Sequence, residues 1–99
     1  MREREIEQKL IAKVRQRGGL APKLVSAGTV GMPDRLVLLP EGKMAFVELK
    51  APKKKARTIQ EKRIRDLRNL GFRVYIVDCQ EGIKEVLDAV QSTSVSKQG

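Results

Sequence analysis

The sequence predicts one small α/β domain in the order helix, three strands, helix, strand, helix. Three observations predict it. Apolar side chains recur at helical spacing near the start of the chain and again in its second half. Two branched runs, Arg35-Leu-Val-Leu-Leu39 and Met44-Ala-Phe-Val-Glu-Leu-Lys50, meet across a tight Pro40-Glu-Gly42 connection. The chain has 99 residues, too few to bury two separate cores, so 1–91 reads as a single domain.

The first helix covers Glu3 to Arg17, with Ile6, Leu10, Ile11 and Val14 on one face and Gly18-Gly19 as the stop. Leu20 to Val25 looks extended, but Pro22 restricts it to an edge strand or an irregular segment. A turn-rich stretch, 26–34, leads into the strand Arg35–Leu39. The short connection after it makes the run from Met44 its antiparallel partner. Ala51-Pro52-Lys-Lys-Lys55 cannot lie in a central strand and reads as a solvated loop. Thr58 then caps a helix to about Leu70, ended by Gly71, with Ile64, Leu67 and Leu70 as its buried face. Phe72 to Val77 is a further strand. A last helix, Glu81 to Val90, turns Ile83, Val86, Leu87 and Val90 inward, and 92–99 reads as a disordered tail.

Composition narrows the chemistry. The chain carries 21 Lys and Arg against 12 Asp and Glu, a net +9, which favours a polyanionic partner, nucleic acid first. It contains no His and a single cysteine, Cys79, which excludes His/Cys zinc sites, Ser-His-Asp and Cys-His catalysis and an internal disulfide. Carboxylates, lysines and a hard divalent cation remain as the catalytic kit. The N-terminus is charged, so no signal peptide is expected, and the longest strongly apolar run, Leu36 to Leu39, is far too short to span a membrane. An intracellular protein with no membrane partner is the expectation.

The unusual polar residues concentrate on the two central strands. Glu48 and Lys50 are two apart and share one face, while Val47 and Leu49 take the other. Asp34 stands at the entry of the neighbouring strand, after Pro33, which fixes the backbone, and Gly31, which lets another backbone or a phosphate come close. The hairpin brings Asp34 towards Glu48. Two converging carboxylates suit a hard cation, and a lysine beside a scissile phosphate positions water and offsets developing charge. Taken alone, Glu-x-Lys is usually a solvated ion pair and Gly-x-Pro-Asp a turn; their conjunction in a basic chain lacking other catalytic groups is what points to a site.

Other residues surround that pair. Glu7 lies on or beside the core-facing side of the first helix, where a charge calls for a reason, with Glu3 as the alternative in register. A first-turn acid complementing the helix dipole is the plainer role, open to Glu3 and Glu5 as well. Gln60, in the first turn of the second helix, is placed to hydrogen-bond a phosphate or a metal-bound water, or is simply a surface residue. Residues 50–65 hold eight basic side chains and one acid, a local +7. Lys53, Lys54, Lys55, Arg57, Lys62 and Arg63 suit sequence-independent contacts with a phosphate backbone. The aromatic residues Phe46, Phe72 and Tyr75 fall in strands as expected core, which argues against a base-stacking platform.

Glu7, Gly31-Met-Pro-Asp34, Phe46-Val-Glu-Leu-Lys50 and Gln60 together resemble the VRR-NUC domain of the PD-(D/E)xK nuclease superfamily, over about residues 3–87. The resemblance implies a small mixed β-sheet flanked by helices with a restriction-endonuclease-like core. It implies a Mg²⁺ or Mn²⁺ site at Asp34 and Glu48 completed by the Leu49 main-chain carbonyl. Lys50 would be the catalytic lysine, and Glu7 would support a second metal or the water. Short stand-alone members are typical of phages and prophages, are similar to Holliday-junction resolvases and are expected to be homodimers. The expectation is therefore a metal-dependent, structure-selective DNA endonuclease acting on branched DNA, four-way junctions or flaps. The competing expectation is a non-catalytic basic nucleic-acid-binding module.

Overall fold

The computed structural model describes residues 2–25, 27–52 and 58–93. Helix α1, Glu3–Gln16, starts where the main-chain N–H of Arg2 donates to Glu5 Oε1 at 2.9 Å, so a side chain satisfies a donor that the helix leaves unpaired. Its buried stripe is Ile6, Leu10 and Val14. After Gly18-Gly19 the chain runs along the sheet edge. Leu20 and Lys23 form isolated antiparallel bridges to Leu38 and Arg35, and the Pro22 carbonyl accepts from the Leu36 N–H at 3.0 Å. The first of the expected strands is thus an edge segment with interrupted pairing.

Strand β1, Arg35–Leu39, turns through a short 3₁₀ segment, Pro40–Gly42, into β2, Lys43–Leu49. The two pair antiparallel, with Arg35 opposite Val47 and Val37 opposite Ala45. Helix α2, Thr58–Asn69, carries the chain across to β3, Val74–Val77, which pairs parallel to β2 with Glu48 opposite Ile76. Helix α3, Gln80–Gln91, ends the described chain, and most of the expected tail lies outside the described residues. The sheet is mixed, in the order β1-β2-β3.

Each strand has two faces, one covered by α1 and α3 and the other covered in part by α2, where Leu38 and Ile76 remain exposed. Val37, Ala45, Val47, Leu49 and Val77 pack against α1 and α3 in the larger core. Phe46 and Val74 point the other way, against Ile64 and Leu67 of α2 and against Met32. Glu48 shares the α2 face by strand alternation.

The sequence overstated the core at one place. Leu70, expected on the buried face of the second helix, is 72% exposed, and Phe72 is 46% exposed. Helix α2 stops at Asn69, and Leu70 enters a turn in which the Phe72 N–H reaches back to the Leu67 carbonyl at 3.0 Å. Pairing begins only at Val74, so Phe72 meets the core through its ring alone, edge-on to Phe46 at 5.9 Å. Thr58 is the first residue of α2, one position inside the cap expected of it.

Candidate active site

Four side chains meet at the C-terminal end of β2. Glu48 is 1% exposed, on the sheet face covered by α2. Lys50, just past the strand, places Nζ 2.8 Å from Glu48 Oε2 and 2.8 Å from Gln60 Oε1. Gln60 Nε2 in turn donates to Glu48 Oε2 at 2.7 Å. Glu48 Oε2 therefore accepts from both neighbours, whereas Glu48 Oε1 is buried without a hydrogen-bond partner among the described residues. Continuing the strand register places Asp34 opposite Glu48, and Asp34 Oδ2 accepts from the Leu49 N–H at 2.9 Å.

Electrostatics follow from this packing. Burial pushes the Glu48 carboxyl above its ordinary pKa, and the Asp34 carboxylate adds to the rise; the Lys50 ammonium and the Asp34 main-chain amide oppose both. An anionic pocket with one unpartnered buried oxygen is a place where a cation would relieve two costs, desolvation and like-charge repulsion. The donor chemistry fits a hard divalent ion. The oxygens are those of Asp34 and Glu48, and the Leu49 carbonyl points to the same side as its N–H, towards Asp34, as in any extended strand. No group of three His, Cys, Asp or Glu forms a metal cage among the described residues, so such an ion would keep several waters.

Local sequence explains why these groups converge. Gly31 has φ +81°, and a Cβ built there would lie 2.7 Å from the Ile59 carbonyl oxygen. The backbone that Gly31 admits is thus the first turn of α2, and this contact brings the loop carrying Asp34 up to the helix carrying Gln60. Pro33 is fully buried beside it. Arg63 fastens the same junction, donating to the Val30 carbonyl at 3.0 Å and to Asp66 at 3.1 Å.

Glu7 is half-buried, as its position in the helical period required, and it accepts from Arg35 Nε at 3.0 Å. Arg35 also donates to the Ala21 carbonyl at 2.7 Å, tying α1, the edge segment and β1 together. No hydrogen bond or ion pair joins Glu7 to Asp34, Glu48, Lys50 or Gln60 among the described residues. Glu3 is exposed in the first turn. Of the expected backbone-binding residues, Lys53, Lys54, Lys55 and Arg57 lie outside the described residues. Lys62 is exposed and pairs with Asp66 at 3.1 Å one turn along α2, and Arg63 is held as above. Arg35 and the anchoring role of Arg63 were missed from sequence; the following acid at i+3, Asp66, signals only a local helix pair.

A mixed sheet thus carries a buried carboxylate, a lysine two residues on and a second carboxylate at the adjoining strand end, a compact carboxylate-lysine cluster. Comparison with known proteins gives the family. The VRR-NUC domain model matches residues 2–81, and the chain belongs to the VRR-NUC domain family. It is 46% identical over 90 residues to "Putative nuclease p44" of Acyrthosiphon pisum secondary endosymbiont phage 1, covering 91% of this chain and 96% of that protein. It is also similar to a solved VRR_NUC domain, with a TM-score of 0.81 and 29% identity, over 87% of this chain and 94% of that one.

Proposed function

We propose that the protein is a divalent-metal-dependent DNA endonuclease that cuts backbone phosphodiesters of branched DNA, four-way junctions or flaps, and works as a homodimer within the cell that a phage or prophage occupies. The observation that carries the reading is Glu48, buried with one oxygen unpartnered and with Asp34 and Lys50 beside it. Family membership and the phage relative support a nuclease.

Asp34, Glu48 and the Leu49 carbonyl would hold Mg²⁺ or Mn²⁺. When bound, such an ion polarises a phosphoryl oxygen and offsets the charge that develops as water attacks phosphorus. The chain's own residues set the rest. Gln60 holds both Glu48 Oε2 and the Lys50 ammonium, fixing the direction in which each points. Lys50, 2.8 Å from the carboxylate, orients the attacking water and stabilises added negative charge. Glu7 acts through Arg35, which follows Asp34 directly in the chain, and so serves as a positioning residue for β1. Segment 53–57 begins three residues after Lys50 and ends three before Gln60, which puts Lys53, Lys54, Lys55 and Arg57 next to the centre along the chain. With Lys62 and Arg63 they supply phosphate contacts. A two-fold junction needs two cuts related by a two-fold axis, and a C2 dimer provides them.

The test is cleavage of labelled four-way junction, flap and linear duplex in Mg²⁺, Mn²⁺ or EDTA, with Glu48→Gln and Lys50→Ala alongside. Cuts that need metal and fall at least ~10²-fold in both variants are expected. In thermal melts Mn²⁺ should stabilise the unmutated protein and leave Glu48→Gln unmoved. Binding without cleavage under any metal, and no stabilisation by Mn²⁺, would favour the non-catalytic binding module.

A further inference from the structure

Helices α1 and α3 lie on the sheet face opposite Glu48, and between them runs a cleft of about 450 Å³. Its floor is apolar, formed by the buried side chains of Ile83 and Leu87. Its walls are cationic. Lys9 and Lys13 project from α1 four residues apart, Arg17 continues the row just past the helix end, and Lys84 faces them from α3. Glu81 is the acid among the lining side chains.

The four cations are not equivalent. Asp88 holds Arg17 at 2.9 Å and Lys84 at 2.6 Å, and Gln91 also accepts from Arg17 at 2.6 Å. Lys9 and Lys13 have no ion pair among the described residues, and both are exposed. Lys9 and Lys13 keep their charge one helical step of about 6 Å apart, a spacing that successive phosphates of a polyanion can match.

We propose that the α1–α3 cleft is a second nucleic-acid site, where Lys9 and Lys13 hold phosphodiester backbone on the side of the domain away from the bond being cut. The assignment of the ligand rests on the nuclease reading above, since the backbone held here belongs to the same nucleic acid. It assigns the two faces of the sheet different tasks, cutting on the α2 side and holding on the α1–α3 side.

The experiment measures binding of a 30-base-pair duplex by anisotropy in EDTA, where no cleavage intervenes, over a range of salt concentrations. It compares the unmutated protein, Lys9→Gln/Lys13→Gln and the charge-matched control Arg4→Gln/Arg73→Gln, whose residues are exposed and outside the cleft. Circular dichroism melts establish that each is folded. We expect the cleft variant to bind at least fivefold more weakly than the control, with a salt slope lower by about 1.8, the value for two phosphate contacts. Equal affinity and slope in cleft variant and control would overturn the proposal. So would saturable pyrophosphate binding at Lys9 and Lys13, seen by amide shifts, without an effect on duplex binding, because the cleft would then be a small-phosphate site. Failure of the nuclease reading is separable: no cleavage in Mg²⁺ or Mn²⁺ by the unmutated protein, with the cleft variant still impaired in binding, removes the enzyme and keeps the cleft. Normal metal-dependent cleavage with no change in binding does the reverse.

Discussion

Glu48 was legible from alternation alone: with Val47 and Leu49 facing one core, the residue between them faces the other side. Its hydrogen bonds were not, because Gln60 comes from a helix twelve residues on, and pattern says nothing about which turn of a helix meets which strand. Asp34 was placed for the right neighbour through the hairpin. Gly31 carried the more specific signal, since a close approach was expected there and whether a backbone or a phosphate made it was open. The Ile59 contact leads to a prediction. Gly31→Ala meets both a left-handed φ and a backbone oxygen at 2.7 Å, so it should lower unfolding free energy by about 1–3 kcal/mol. Urea unfolding checks this, and a variant as stable as the parent would mean that the loop re-forms without the contact.

At the scale of elements, helical period identified the buried faces of α1 and α3 completely, with Ile6, Leu10 and Val14 and with Ile83, Val86, Leu87 and Val90. It failed at Leu70 because period tells which way a side chain points and not whether a neighbour stands there; α2 had ended and β3 had not begun. The link between α1 and α3 was also invisible in sequence, being one acid shared by two helices. Asp88 sits with Lys84 and Arg17, whose hydrogen bonds and charges hold its carboxyl below the ordinary value. A depressed acid contributes stability above its unfolded pKa and loses it as pH falls through the folded one. Asp88→Asn should therefore unfold at lower urea than the parent at pH 7, with the difference shrinking to nothing in strong acid. A gap that persisted below pH 2 would trace to packing rather than charge.

For the molecule as a whole, composition narrowed the chemistry early: without His, and with one Cys, carboxylates and lysines were the expected site groups, and Asp34, Glu48 and Lys50 lie together. Fold order was readable because each element has its own period and its own stop. The resemblance implied a mixed sheet, but that β3 pairs parallel with β2 was not readable from any run of residues, since it depends on the path of a crossover. That pairing has a consequence for how the chain holds together. Asp34, Glu48 and Lys50 lie before segment 53–57 and Gln60 after it, and among the ties that unite the two halves are the β2–β3 ladder, the core shared by α1 and α3, the Gln60 bonds to Glu48 and Lys50, the Ile59–Gly31 contact and the Arg63–Val30 bond. A chain supplied as two pieces, one ending after β2 and the other beginning with α2, should therefore elute as one species on gel filtration and part only in denaturant, which makes the protein a natural starting point for reassembly from halves.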